Sequence, residues 1–256
     1  MLQAHSPLWN YLWVAPNVFL FALAFLIRRR GLHKQFPVFQ IFAIVTAIEQ
    51  LAVYAADVIP SISGVMFWRI FWVSLLIEAI AKFALIGEIF GFLFVRYSSL
   101  ANFGKRAIQG LGILLVAVAT IAAAYAPVDN PHYSVISHAH ILDQSIYLIE
   151  CGLLVFIFIF AAYFHLTWNR IPYGIALGLG ISACVHLGTW AVIANGGLLN
   201  QRPLLDFLNM ATYHLCVLIW CYYLLVPQKE ATKSAVSLPD NNLAIWNREL
   251  ERLLQQ

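Results

Sequence analysis

Seven long apolar stretches, separated by short polar segments, dominate this sequence. A helix needs about 20 mostly apolar residues to cross the hydrocarbon core of a bilayer, and all seven stretches come near or exceed that length. Clusters of Gly, Pro, Asn or charged residues mark their boundaries, as in RRRGLHKQFP and TWNRIPYG. The predicted spans are Leu8–Ile27, Pro37–Asp57, Phe67–Val95, Ile108–Ala126, Ile141–His165, Pro172–Ala194 and Leu204–Val226, of which the third is the longest. The pattern predicts an all-α integral membrane bundle of seven transmembrane helices.

Composition supports this interpretation. Hydrophobic residues make up 62% of the chain and charged residues only 11%, whereas a typical soluble domain is about 25% charged. The first ten residues contain no Lys or Arg, so the first apolar stretch is expected to be a retained helix and not a cleaved signal peptide. There is no basic stripe with interleaved aromatic residues, so nucleic acid is not indicated as a partner. The bilayer is therefore the expected surroundings of the chain.

The distribution of Lys and Arg predicts the orientation of the helices. Positively charged loops stay in the cytoplasm. Two basic residues, Arg69 and Arg202, fall on one side of the predicted spans, and Lys82 lies within a span. The other side carries Arg28, Arg29, Arg30, Lys34, Arg96, Lys105, Arg106, Arg170, Lys229, Lys233, Arg248 and Arg252. We therefore expect an outside N-terminus and a cytoplasmic C-terminus, in a cell membrane of the bacterial cytoplasmic type.

Two regions are expected: a transmembrane domain over 1–226 and a cytoplasmic tail over 227–256. Apolar residues recur in the tail at helical spacing, which predicts an amphipathic helix. They are Leu243, Trp246, Leu250, Leu253 and Leu254. Such a helix either lies on the membrane surface or the inner end of the bundle, or docks a cytoplasmic partner.

The chain also shows a pattern typical of an internal repeat. Pro37 and Pro172 both open a span after cytoplasmic basic residues. Glu49 with His186, and Glu78 with His214, then follow at a nearly constant offset. This spacing suggests a three-plus-one-plus-three layout with two parallel halves.

Five acidic or imidazole side chains lie at one predicted depth, near the middle of the bilayer. We call Glu49, Glu78, Glu150, His186 and His214 the polar belt. Each lies about eight to eleven residues from the outer end of its span, or roughly 12–16 Å deep at 1.5 Å per residue. Such groups are costly in hydrocarbon and normally face the bundle interior at functional sites.

Other polar residues accompany the belt on the same helices. Lys82 follows Glu78 by one turn in the favourable ion-pair order, and Tyr213 adjoins His214. The predicted ligand-binding residues are Glu49, Glu78, Lys82, Glu150, Tyr213, His186 and His214. The pair Glu78–Lys82 has the alternative interpretation of a structural ion pair.

Three chemistries could use this belt. The leading one is a sensor or receptor-like protein that binds a small ligand or ion and signals to the cytoplasmic side. The second is a redox protein in which His186 and His214, on adjacent antiparallel helices, bind haem b or a metal ion. The third is proton, ion or solute transport along Asp57, Glu49, Glu78, Lys82 and Glu88.

Several other classes are not supported by the sequence. The last span has no lysine that could hold retinal as a Schiff base, because Lys82 is on the third helix. No serine-nucleophile motif, phosphate loop or dinucleotide fingerprint is present, so an enzyme is not favoured. All four cysteines fall within apolar stretches and are expected to be small buried hydrophobic residues.

Overall fold

The computed structural model describes residues 5–95, 98–125, 134–194 and 202–226, together with Ile245, Arg248, Glu251 and Arg252. Over these residues the chain is all-α. Its long helices are α1 (Pro7–Arg29), α2 (Pro37–Val58), α3 (Gly64–Leu93), α4 (Ser98–Ala124), α5 (Ser134–Tyr163), α6 (Arg170–Ala194) and α7 (Arg202–Leu225), and a short 3-10 helix, η1, covers Leu32–Lys34. Within the described part of the chain, seven helices are long and apolar enough to cross a membrane. The prediction of seven spans is confirmed.

The largest boundary differences are at the starts of α4 and α5. Helix α4 begins at Ser98 and not at Ile108, and α5 begins at Ser134 and not at Ile141. Hydropathy marks the stretch suited to hydrocarbon, whereas backbone hydrogen bonding continues through the polar residues beside it. The third span, Gly64–Leu93, has 30 residues and is the longest of the candidate spans among the described residues, as predicted.

Local capping explains where several helices begin. The hydroxyl oxygens of Ser6 and Ser63 accept hydrogen bonds from backbone N–H groups in the first turns of α1 and α3, each at 3.3 Å. Helix α2 has no such cap from its own sequence. Instead, the two carboxylate oxygens of Glu88, on α3, accept from the backbone N–H groups of Val38 and Phe39 at 3.0 Å each. Glu88 therefore has a structural role at the start of α2.

Six helices form a ring around the interior. Helix α1 packs on α2 and α7, α2 packs on α3, α3 packs on α5, α5 on α6, and α6 on α7. Helix α4 lies outside this ring, against α3 and α5. We use the term basic end for the end where α1, α3, α5 and α7 finish, because the described residues there include Arg28, Arg29, Arg30, Lys34 and Lys105.

Two glycines allow α6 and α7 to approach closely. Gly174 and Gly178 are one turn apart and therefore lie on the same face of α6. A Cβ atom on Gly178 would lie 2.2 Å from the indole Nε1 of Trp220, and one on Gly174 would lie 2.2 Å from Cγ of Tyr223. Small residues commonly permit such contacts between transmembrane helices. Trp220, held in this way, packs edge-on against Phe39 and Phe42 of α2.

Two arginines hold the C-terminal end of α7. Nη1 of Arg30 donates to the carbonyl oxygen of Leu225 at 2.6 Å. Arg170 donates through Nη1 to Val226 at 3.0 Å and through Nη2 to Tyr222 at 3.3 Å. The last carbonyls of a helix lack intrahelical partners and carry partial negative charge, so guanidinium groups stabilise them. The position and direction of α7 at the basic end are thereby fixed.

The described part of the tail contacts the transmembrane bundle. Its four described residues are all helical. The Ser99 hydroxyl, at the start of α4, donates to Oε1 of Glu251 at 3.2 Å. The apolar positions that predict an amphipathic helix, Leu243, Trp246, Leu250, Leu253 and Leu254, lie outside the described residues. The contact with Ser99 places Glu251 beside the start of α4, and the predicted amphipathic helix of the tail stays a prediction.

Candidate ligand-binding site

The interior of the ring contains a buried ion cluster centred on Lys82. Its ammonium Nζ lies 2.9 Å from Oε1 of Glu78, one turn earlier on α3, and 3.0 Å from Oε2 of Glu150 on α5. The same atom lies 4.0 Å from the ring centre of Tyr147. Lys82 is 4% exposed and Glu150 is 0% exposed. Packing of α5 on α3 therefore joins two predicted site residues, Glu78 and Glu150, through one lysine.

Several buried polar atoms near this cluster have no hydrogen-bond partner among the described residues. Oε1 of Glu150, Oε2 of Glu49 and the hydroxyl of Thr46 are such atoms. The other oxygen of Glu49 receives only a long bond of 3.4 Å from Gln50. The great majority of buried polar atoms in proteins are paired. The interior thus contains acceptor atoms that receive no hydrogen bond from the described side chains.

Formal charge is also unbalanced in this region. The carboxyl groups of Glu78 and Glu150 contact a single ammonium group, that of Lys82, and a third carboxyl group, that of Glu49, lies nearby. Glu49 is 7% exposed, so water screens it little. In a low-dielectric interior such an excess of negative charge is costly, and it favours a proton or a cation nearby.

His186 and Asp143 form a second polar pair beside the cluster. Nε2 of His186 lies 2.9 Å from Oδ2 of Asp143, which also accepts from the indole N–H of Trp190 at 3.3 Å. The His186 ring stacks on Tyr147, with ring centres 3.8 Å apart. Tyr147 therefore contacts both the lysine cluster and the imidazole.

These groups surround a central cavity of about 280 Å³. All six helices of the ring contribute to its wall, whereas α4 does not. Its polar lining consists of Thr46, Gln50, Glu78, Lys82, Asp143, Tyr147, Ser182, His186, Asp206, Asn209, Thr212 and Tyr213. Aromatic residues, including Trp9, Trp13, Phe71 and Trp220, form much of the remainder. The cavity combines a few polar groups with an apolar wall, as small-molecule sites do.

Helix α1 was not predicted to contribute, yet it forms one wall. Trp9, Leu12 and Trp13 line the cavity. The buried Asn17 donates through Nδ2 to the carbonyl of Trp13 at 2.7 Å and accepts from the Tyr213 hydroxyl at 3.3 Å. The feature of the sequence that indicated a contribution from α1 was Asn17, an amide within an apolar span, which follows Pro16.

Glu78, Lys82, His186 and Tyr213 line the cavity, whereas the predicted site residues Glu49, Glu150 and His214 do not. His214 lies against α1. Its ring lies 5.6 Å from the rings of both Tyr11 and Phe19 on α1. His186 faces Asp143 on α5 instead. The structure therefore gives the two imidazoles different surroundings. Among the described residues, no group of three or more His, Cys, Asp or Glu side chains is arranged to hold a metal ion.

Two of the cysteines form a pair across neighbouring helices. Sγ of Cys151 on α5 lies 3.7 Å from Sγ of Cys184 on α6, and both thiols are free. Cys184 is exposed and Cys151 is half-buried. The expectation of small buried residues holds for Cys216, which is fully buried, but not for Cys184.

Comparison with known proteins does not assign the chain to a family. No family model matches the chain, no curated protein matches its sequence, and no solved structure matches its fold.

Proposed function

We propose that this protein is a receptor-like membrane sensor that binds a small ligand in the central cavity. The observation that carries the proposal is the cavity of about 280 Å³ and its polar lining, which includes the unfilled Thr46 hydroxyl and the carboxylates of Glu78 and Asp143. A ligand that donates hydrogen bonds would find these acceptors in the cavity wall.

The charge balance favours a positively charged ligand, such as a small organic amine. Two carboxyl groups contact the one ammonium group in the cluster and a third, that of Glu49, lies nearby, so an added cation would lower the electrostatic free energy of the interior. Aromatic rings also attract cations through their faces, and Trp9, Trp13 and Tyr213 line the cavity. The indole N–H of Trp9 is buried without a partner among the described residues, and it offers a donor to a ligand hydroxyl or carbonyl.

Helix α7 is the element that would pass binding to the basic end. In its first half, α7 contributes Asn209 and Tyr213 to the cavity wall. Asn209 contacts the Thr189 hydroxyl at 3.1 Å, and Tyr213 contacts Asn17. At its other end it is held by Arg30 and Arg170. A ligand that competes for the polar contacts near the cavity would therefore shift the equilibrium between positions of α7.

The proposal includes an orientation. With the basic end in the cytoplasm, the N-terminus lies outside, α7 ends in the cytoplasm, and the tail follows from it. A membrane of the bacterial cytoplasmic type fits this arrangement. The tail would be free to contact a cytoplasmic partner when its contact with Ser99 opens.

The ligand class is tested by thermal unfolding of the purified full chain. Small alkylamines are compared with alcohols of matching size, and the amines are expected to raise the melting temperature. Glu49→Gln or Glu150→Gln should weaken amine binding, since each removes negative charge that lies close to the cavity. Asp57→Asn is the control, because Asp57 lies near His5 outside the cavity, at 3.8 Å. Equal stabilisation by alcohols, or unchanged binding in Glu49→Gln and Glu150→Gln, would reject the proposal.

The redox and transport interpretations have separate tests. Haem or metal ligation by both imidazoles would require the His214 ring to leave Tyr11 and Phe19. A Soret band that disappears in His186→Ala and in His214→Ala would establish haem. For transport, proton flux into liposomes that survives Glu49→Gln combined with Glu78→Gln would argue against a path through these carboxylates.

A further inference from the structure

Two cavities follow one another along the line where α3 packs on α4, which we call the α3–α4 seam. The first is an apolar groove of about 580 Å³. Its edges include Ile80 and Ile113, which are 59% and 62% exposed on the surface of the bundle. The second is a polar pocket of about 400 Å³ at the basic end. The two share no lining residue with the central cavity.

The groove and the pocket lie on one face of the helix pair. The residues of α3 that line them include Ile80, Ala84, Glu88 and Gly91, and Val95 follows just after the end of the helix. Those of α4 include Asn102, Lys105, Gln109, Ile113 and Val116. Each series advances in steps of three or four residues, which keeps it on one side of its helix. The seam is therefore continuous, polar at the basic end and apolar toward the middle of the membrane.

The polar pocket has an excess of available positive charge. Lys34 and Lys105 line it, and among the described residues neither forms an ion pair. Glu88 also lines it, but both of its oxygens already accept from backbone N–H groups of α2. The side-chain amides of Gln35 and Asn102 complete the polar lining. An anion with several acceptor oxygens matches these donors.

We propose that the α3–α4 seam is a binding site for an anionic phospholipid. Lys34 and Lys105 hold the phosphate, with Gln35 and Asn102 as hydrogen-bond donors. An acyl chain lies in the groove between Ile80 and Ile113. Basic pockets between transmembrane helices recognise anionic lipid headgroups in this way. The apolar groove that continues from the pocket favours a lipid over a free phosphate ion, which would occupy the pocket alone.

The lipid site is independent of the receptor proposal, since it lies between α3 and α4 and not in the ring interior.

The lipid site is tested with the full chain purified in detergent. The protein is titrated with phosphatidylglycerol and with phosphatidylcholine of the same acyl chains, and bound lipid is counted by native mass spectrometry. We expect phosphatidylglycerol to bind about tenfold more tightly, because each lysine near a headgroup contributes to the attraction. Lys34→Gln combined with Lys105→Gln should abolish this preference.

Two matched variants make the result specific. Arg28→Gln combined with Arg29→Gln removes the same charge from the basic end but not from the pocket, and should keep the preference. Ala117→Trp fills the groove beside Ile113 and should weaken the binding of both lipids. The proposal is overturned if the lysine variant keeps the preference, if the arginine variant loses it equally, or if inorganic phosphate stabilises the protein as well as the lipid does.

Discussion

Lys82 carries one ammonium group among the carboxylates of Glu49, Glu78 and Glu150, in a region that water barely reaches. Removing a buried charge from water costs several kcal/mol, and the cost is offset only when opposite charges lie close by. Glu78 and Glu150, at 2.9 and 3.0 Å, provide that compensation. The lysine in turn offsets part of the repulsion among the acids, so the cluster depends on it.

Replacing Lys82 should therefore destabilise the protein strongly. Lys82→Met leaves the carboxylates of Glu78 and Glu150 without their cation, and should lower the free energy of unfolding by about 3–5 kcal/mol. Adding Glu150→Gln should recover part of this loss, since one of the uncompensated charges is gone. Thermal unfolding of the single and double variants in the same detergent measures both effects. Lys105→Met, at the basic end, is the control and should cost much less. Simply additive losses in the double variant would contradict the proposed coupling.

At this scale, the sequence predicted contacts within one helix better than contacts between helices. The order of Glu78 and Lys82 at a spacing of four residues was sufficient to predict their ion pair. Glu150 was predicted at a depth close to that of Glu78, but its contact with Lys82 depends on the rotation of α5, which depth does not determine. The same uncertainty explains His214, whose ring faces α1 and not the cavity. Asn17 marked the contribution of α1, but a single amide does not indicate which helix it faces.

The contact between α6 and α7 depends on the absence of a side chain at Gly178. Gly178→Ala places a Cβ about where Nε1 of Trp220 lies, since the separation would be only 2.2 Å. Trp220 must then move toward the cavity, which it lines. We expect a lower melting temperature and weaker ligand binding. Gly188→Ala, on the same helix, meets no atom within 4 Å and should be neutral or slightly stabilising, because alanine favours helix. Similar melting temperatures for the two variants would contradict this packing.

Helices α5 and α6 can be linked through their native thiols. Cys151 and Cys184 lie 3.7 Å apart at sulfur, so mild oxidation with copper phenanthroline should join them with a loss of two hydrogen atoms. Protection of both thiols from maleimide, detected by mass spectrometry, measures the reaction. Cys184→Ser should abolish it, whereas Cys221→Ser should not. Failure of the native pair to oxidise would show that α5 and α6 do not approach in this way in solution.

For the elements, hydropathy was sufficient to predict the number and approximate limits of the helices. It did not predict that α4 lies outside the ring, because an apolar span looks the same whether its neighbours are helices or lipid. The parallel repeat is a matter of helix arrangement and stays a prediction.

The orientation of the whole molecule is tested with fusions at the C-terminus. Positive charge concentrated at the basic end predicts that this end stays in the cytoplasm. Green fluorescent protein joined after Gln256 should therefore fluoresce in bacterial cells, and alkaline phosphatase joined there should be inactive. The reverse result would place the basic end outside and exclude the proposed signalling direction. Moving basic residues to the other end provides the control, since it should weaken or invert the preference.

Helix α7 is held at the basic end by Arg30 and Arg170, and in its first half by Asn17 and Thr189, which contact Tyr213 and Asn209. A helix held at two points along its length cannot tilt as a rigid body unless one of the two sets of contacts breaks. The arginine contacts are charge-assisted and the cavity contacts are neutral, so the cavity end should yield first. The weaker contacts thus face the proposed ligand and set the threshold that it must exceed, whereas the stronger arginine contacts remain as the pivot.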